Sequence, residues 1–375
     1  MAHPEFPLAD ELIYFNHAAV APWPERTRRA VVEFADQNGR YGAAFYPDWL
    51  KKEGLLREQL QALINAPSAD DIALVKNTSE ALSFVAFGLD WQAGDNIVTS
   101  NEEFPSNRLP WQALAMQGVE LRQADLYAAD TPEDALFALV DRNTRLLTIS
   151  SIQFATGLRL DMERIGAFCK QRQILFCIDA IQSIGAVRFD VQSCQADFVM
   201  ADSHKWMFGP EGLGFFYTTP AARDRLKLTQ FGWHMMKDTH NYENKPWEIH
   251  PTARRFECGS PNMLGIHALS ASVSLLLDIG IETIEALLIE RIDYLRERIE
   301  QHAELEWLGP ARSALKSGIV VFRHKTIPNL ALYHYLMQQQ VICALRGAGI
   351  RFSPHFYNSP EQIDRALAII DQYPN

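Results

Sequence analysis

Between about residue 70 and residue 220, short apolar runs alternate with helix-like segments, and this alternation constrains the chain more than any other feature of it. It is the pattern of strands joined by right-handed helical crossovers in a mostly parallel sheet. The runs "DIALVK" (71–76), "DNIVTS" (95–100), "RLLTISSI" (145–152), "QILFCIDA" (173–180), "ADFVMA" (196–201) and "GLGFFYT" (212–218) read as strands. Stretches such as "SEALSFVAFGL" and "MERIGAFCKQR" read as helices between them. The expected fold is therefore α/β, with helices covering the sheet.

The texture changes after about residue 265. Two long amphipathic helices, "ALSASVSLLLDIG" and "IETIEALLIERIDYLRERIEQHAEL", lead into the strand "GIVVFRH" and the helix "YHYLMQQQ". A length of 375 residues suits one large domain and a smaller companion. The expected division is an N-terminal segment (1–30) packing with the small unit, a large α/β domain (31–265) and a smaller C-terminal α+β unit (266–375). The helix "PERTRRAVVEFADQNGRYG", opened by Pro24, is expected against that small unit.

Chemistry concentrates where the strands end, which in open α/β folds is where ligands bind. Lys205 follows the apolar run "ADFVM" and precedes Trp206, Met207 and Phe208. Desolvation there lowers a lysine pKa, and the uncharged amine is the form that attacks an aldehyde carbonyl to make a Schiff base. Asp179 ends "ILFCIDA", where a carboxylate either caps the next helix or holds a cationic partner such as a protonated pyridine nitrogen. Thr78 and Ser79 place hydroxyls at a helix start, a plain cap or an anion site.

Composition narrows the classes. With 47% hydrophobic and 22% charged residues the chain is ordinary globular material, and no apolar run approaches the roughly 18 residues of a membrane span. A net charge of −11 without a dense Lys/Arg run argues against nucleic-acid binding. The N-terminus lacks a secretory pattern, so the expected location is cytoplasmic. Five scattered cysteines without CxxC spacing fit neither a disulfide framework nor a metal site.

Strand-end hydroxyls, a strand-end aspartate and a strand-end lysine, in that order, are what pyridoxal 5′-phosphate requires. The chain resembles the class V aminotransferase family of fold type I pyridoxal-phosphate enzymes over nearly its whole length. The resemblance is carried by "YFNHAAVAPWP", "KNTSEAL", "EEFPSN", "IQFATG", "CIDAIQSIGA", "DSHKWMFGPEGLG", "FECGSPN" and "RFSPHFYNSPEQID". It implies that Lys205 carries the cofactor, that Asp179 pairs with its ring nitrogen and that Gln182 donates to its phenolic oxygen. It implies phosphate contacts from Thr78, Ser79, Ser203 and His204, a stacking ring at Phe104 and a cofactor contact at Gln153. It further implies a homodimer in which Ser260 reaches the neighbouring subunit's phosphate.

For the substrate, the resemblance implies an α-amino acid whose carboxylate is clamped by Arg351, with Asn16 and His17 nearby. Arg346 and Arg255 are weaker candidates for the clamp, and Trp233, His234, Tyr242 and Trp247 are candidates to line the substrate pocket. Transamination, epimerisation and elimination all remain open. A cysteine desulfurase is the alternative within the family, and it needs a reactive thiol. Cys343 lies in an apolar run, where a thiol is inert. Phe104 stands where desulfurases usually have histidine, and Gln153 and Phe154 where they usually place an asparagine near the ring oxygen; both changes point toward the epimerase-like and kynureninase-like branches. The alternative from another class is a scaffold that senses an amino acid or the cofactor without catalysis.

Overall fold

The computed structural model describes residues 3–239, 243, 248–310 and 316–374. A short strand β1 (Ile13–Tyr14) precedes helices α1 (Glu25–Tyr41) and α2 (Tyr46–Ile64). The strands β2 (Ile72–Val75), β3 (Asn96–Ser100), β4 (Glu120–Ala124), β5 (Thr144–Ser150), β6 (Leu175–Asp179), β7 (Phe198–Asp202) and β8 (Gly214–Thr218) follow. Helices α3 (Thr78–Gly88), α4 (Leu109–Ala113), α5 (Pro132–Phe137), α6 (Met162–Arg172) and α7 (Pro220–Arg223) alternate with them.

These strands form one seven-stranded sheet in the order β2-β8-β7-β6-β5-β3-β4. From β4 to β7 neighbouring strands are parallel, whereas β8 is antiparallel to both β7 and β2. Because β8 reverses direction twice over, β2 points the same way as the parallel strands and its C-terminal end shares their edge. The expected strands are all present to within two or three residues at either end. The edge strand β4, "ELRQA", is additional: its partly exposed polar residues carry no buried-strand pattern, as befits a sheet edge.

The sequence stops and starts these elements locally. Asn77 caps α3, its Oδ1 accepting from the Glu80 N–H at 2.9 Å. Asp161 caps α6 in the same way through Arg164 N–H, and Gln173 ends that helix in the left-handed region.

The C-terminal part comprises α8 (Met263–Ile279), α9 (Ile281–Gln301), β9 (Leu305–Trp307), β10 (Val320–His324), α10 (Asn329–Gln338), β11 (Val341–Ile342), β12 (Ala344–Arg346), β13 (Gly349–Phe352) and α11 (Pro360–Asp371). Its sheet runs β12-β13-β10-β9, and β1 pairs in parallel with β11.

Two packing arrangements differ from the expected division. Leu269, Val273 and Leu276 of α8 belong to the same core as the main sheet and α2, so α8 is part of the large unit. Helix α1 likewise lies on α8: Thr27 and Ser272 hydroxyls are 2.6 Å apart, and Arg26 bonds Asp278. The small unit's own core instead gathers Ile13 and Phe15 with Leu288, Phe322 and Phe352. The chain bends by 81° at Gly280 (φ +85), between α8 and α9, and the first turns of α9 still pack on the large core through Ile284 before Leu288 enters the small one. Apolar composition shows that α8 is buried but not which core covers it. Among the described residues no single helix is long and apolar enough to cross a membrane.

Candidate active site

The C-terminal edge of the main sheet faces the β12–β13 hairpin across a cavity of about 450 Å³. Larger hollows occur elsewhere, one of about 560 Å³ against α1, α2 and α8, but this is the cavity into which the strand ends point. In register, Ser150 of β5 stands beside Asp179 of β6, and Asp179 beside Met200 of β7. Three adjacent strands thus deliver Ser150, Asp179 and Asp202 to one wall, and the turn after β7 adds His204 and Lys205. The α3 start contributes Asn77, Thr78 and Ser79, and the hairpin contributes Arg346 and Arg351.

Lys205 is half-buried, with no ion pair from its Nζ among the described residues, and burial pushes its ammonium pKa down. Its Nζ lies 5.7 Å from the centre of the Phe104 ring, which meets Phe154 edge-on. The turn holding it is tightly specified. Phe208, three residues on, has φ +59, an unusual conformation for a bulky residue that clusters at functional sites. Trp206 donates from Nε1 to Gln182 Oε1 at 2.8 Å, tying the β7 turn to the β6 turn.

Asp179 is buried, and burial followed by the Glu103 charge pushes its carboxyl up. Its Oδ1 accepts from the Ile181 N–H at 3.1 Å. Glu103 is a second buried carboxylate, held by Ser150 N–H, Ser150 Oγ, Asn107 Nδ2 and Gln153 Nε2. Arg351 is almost fully buried, donating from Nη1 to Phe154 O at 2.7 Å, with Nε left without a hydrogen-bond partner. Burial, then the Arg346 charge, disfavours its cation.

The class V aminotransferase model matches residues 13–366. The chain belongs to that family. It is 31% identical to a probable cysteine desulfurase of Methanothermobacter thermautotrophicus over 96% of this chain and 94% of that one. Two solved structures of C-DES share the fold at 23% identity. One, a lysine-to-alanine mutant with glycine covalently linked to its PLP cofactor, has a TM-score of 0.90 and covers 98% of each chain. The other, the cystine C–S lyase with its product cysteine persulfide, has a TM-score of 0.89, covering 96% of this chain and 98% of that one.

Class V aminotransferases use pyridoxal phosphate, and the residues here fit it. Thr78 Oγ1 is buried at the N-terminus of α3 without a hydrogen-bond partner, as a hydroxyl awaiting an anion would be. His204 lines the same cavity, its Nδ1 3.4 Å from Asp202 Oδ1. Lys205 offers an amine, Asp179 a buried carboxylate without an ion pair among the described residues, and Phe104 an exposed ring. Gln182 also lines the cavity, though its Nε2 already donates to Ala18 O at 3.1 Å.

Other expected site residues of this class V enzyme lie outside the cavity. Ser203 is fully buried and spends its hydroxyl on Pro210 O at 2.6 Å. Gln153 is buried behind the wall and bound to Glu103. Ser260 is exposed and outside its own chain's cavity, and Asn16 does not line it either. Arg255 is tied to His250 O and Asp224. Trp233 and His234 border a different hollow with Tyr46 and Arg254, while Tyr242 and Trp247 lie outside the described residues. Phe154, singled out with Gln153, lines the cavity, and Asn77, Ser106 and Asp202 line it unanticipated; the strand-end position of Asp202 was the available signal for it.

His17 is the clearest correction. It has no exposed surface, and both ring nitrogens are occupied: Nδ1 lies 2.8 Å from Ser353 O and Nε2 2.7 Å from the Tyr357 hydroxyl. The neutral ring satisfies both, donating from Nδ1 and accepting at Nε2. Burial holds its pKa down to about 4, and that of neighbouring His355 well below its ordinary value. A histidine in an unfolded chain titrates near 6.5, so between about pH 6.5 and 4 the unfolded state binds protons that the fold refuses. The contribution is therefore complete above about pH 6.5 and lost as pH falls toward 4, by about 2–3 kcal/mol for His17 at pH 4.5. Urea midpoints at pH 7.5 and 4.5 test this: His17→Gln is expected to lose less stability between the two than the parent. Equal losses would show that His17 is not held neutral.

Proposed function

We propose that the protein takes an α-amino acid, binds its carboxylate at Arg351 and moves the proton on its Cα with Lys205, in chemistry completed without a protein thiol. The observation that carries this reading is the convergence of Lys205, Asp179 and Arg351 on one cavity whose wall contains no cysteine. Pyridoxal phosphate, when bound, supplies the electron sink that makes loss of the Cα proton feasible.

The residues divide the remaining work. Thr78, His204 and the α3 N-terminus hold the phosphate end, and Asp179 favours a protonated ring nitrogen because a buried carboxylate gains most from an adjacent cation. Arg351 presents a planar guanidinium suited to two parallel hydrogen bonds with a carboxylate. Desolvation keeps the Lys205 amine available as a base, and the Phe104 and Phe154 rings, edge-on to one another, add an apolar stretch to the wall beside it. Transamination, epimerisation and elimination share these steps. The reading includes a cytoplasmic homodimer, in which the exposure of Ser260 leaves it free to reach a partner's site.

The relative named a probable cysteine desulfurase favours a second reading, with cysteine as substrate and sulfur passed to a protein thiol. Against that transfer, Cys343 is 2% exposed, burial pushes its thiol up to about 12, and the β12–β13 turn beyond it is only Gly347 and Ala348. Cys258, the one cysteine not buried, lies outside the cavity and approaches Gln230. Incubating the holoenzyme with an amino-acid panel and following product tests both readings. Cys343→Ser and Cys258→Ser are each expected to keep activity within about twofold, as substitutions remote from the site do. A loss beyond tenfold in either, with alanine formed from cysteine, would instead establish a persulfide route.

A further inference from the structure

The β12–β13 hairpin carries two guanidiniums, and the proposed function uses one. In its antiparallel register Ala344 stands opposite Arg351 and Arg346 opposite Gly349. Side chains alternate along a strand, so Arg346 shares its face with Ala344 and hence with Arg351, at the diagonal position about 7–8 Å away. The turn pins that face. Gly347 has φ +56, and a Cβ on Gly349 would stand 2.2 Å from Phe322 O, so this tip accepts neither bulk nor a slipped register.

Arg346 lines the cavity, and its guanidinium donates to Leu345 O at 2.9 Å. No carboxylate pairs with it among the described residues. Arg351 beside it is equally short of an anion, with Nε unpartnered and the Arg346 charge disfavouring its cation.

The charges on the wall do not balance. Lys205, Arg346 and Arg351 face Asp179 and Asp202. Asp202 accepts from its neighbour's Ser203 N–H at 3.1 Å and lies against His204. In the proposed function the cofactor would engage Lys205 and Asp179, and Thr78 and His204 would hold its phosphate. One substrate carboxylate then satisfies the buried Arg351 and leaves Arg346, a solvent-exposed guanidinium on the same cavity wall, without an anionic partner among the described residues and open to an incoming one.

We propose that Arg346 recognises a second anionic group on the substrate, so that the enzyme selects α-amino acids with a short anionic side chain, a carboxylate or a sulfinate, over their neutral isosteres. This rests on the assignment of the α-carboxylate to Arg351. The two guanidiniums on one hairpin face then grip the two ends of the substrate, and the tight turn sets the distance between them.

The test uses the holoenzyme and measures dissociation constants by calorimetry for L-aspartate, L-glutamate and L-cysteine sulfinate against L-asparagine, L-glutamine and L-alanine. At least one anionic member is expected to bind about tenfold or more tightly than its neutral counterpart, as befits a charge-assisted pair. Which one binds separates carboxylate from sulfinate. Arg346→Ala is expected to erase that preference while changing alanine binding less than about twofold, and Arg346→Lys to keep part of it. Equal binding of charged and neutral isosteres by the parent enzyme overturns the proposal. So does an Arg346→Ala variant that keeps the preference, or one that instead weakens pyridoxal phosphate binding to the apoprotein, which would assign the cation to the phosphate. Failure of the underlying reading looks different: no α-amino acid binds, or Arg351→Ala leaves alanine binding intact.

Discussion

Lys205→Ala is expected to lower turnover by at least about three orders of magnitude, because under the proposed function it would remove both the covalent anchor of the cofactor and the base for the substrate proton. The same variant is expected to release pyridoxal phosphate on dialysis and to lose the absorbance of cofactor linked through Nζ. Its fold is expected to survive intact. Lys205 makes no ion pair among the described residues and burial disfavours its charge, so truncation removes a desolvated cation rather than a stabilising contact. Unfolding midpoints of the two apoproteins should therefore agree closely or favour the variant. A variant that kept full activity, or that retained dialysis-resistant cofactor, would overturn the assignment.

Arg57→Ala is expected to cost about 3–5 kcal/mol of stability, the loss that follows when a buried ion pair is broken from one side. The guanidinium is buried and donates to Glu257 Oε1 and Oε2 at 2.6 and 2.7 Å, to Glu53 Oε1 at 2.6 Å and to Ile72 O at 2.8 Å. Burial opposes its charge, but the Glu257 and Glu53 carboxylates more than offset that and raise its pKa. Removing it strands two buried carboxylates, one of which also accepts from the Leu74 N–H of β2. The network clamps α2 and β2 to the segment that runs on to Ser260. Chemical denaturation of the apoprotein measures the cost, and a loss under about 1 kcal/mol would mean that water reaches the carboxylates and replaces the guanidinium.

The placement of Lys205, Asp179 and Thr78 on one cavity was legible in the sequence because each lies at, or within a few residues of, the end of a continuous apolar run, and that is enough to put a residue on the ligand-binding edge of a parallel sheet. Side-chain direction was not legible. Ser203 stands two residues before Lys205 in a strong motif, yet its hydroxyl turns to Pro210 O. His17 sits in another such motif and is consumed by Ser353 and Tyr357. A motif fixes where the backbone goes, and only packing decides whether a rotamer faces the cavity or the core. Strand β4 escaped because an edge strand need not be apolar. Helix α8 was assigned to the wrong unit because hydrophobicity is the same whichever core it enters. The face shared by Arg346 and Arg351 depends on the register of a hairpin closed by two residues, and periodicity cannot supply that.

The reversed strand β8 also determines when, during folding, a site can exist at all. β2 has no neighbour in the main sheet except β8, so it joins only through a pairing between residues 72–75 and 214–217. A truncated chain ending between residues 205 and 213 holds Thr78 and Lys205 but lacks the β2–β8 pairing, leaving only the packing of α3 on β7 to bring them together. Closing so long a loop is entropically unfavourable, which disfavours early formation of the β2–β8 pairing that fixes the start of α3. Cofactor capture would then report completion of the whole large unit rather than the folding of any one part of it.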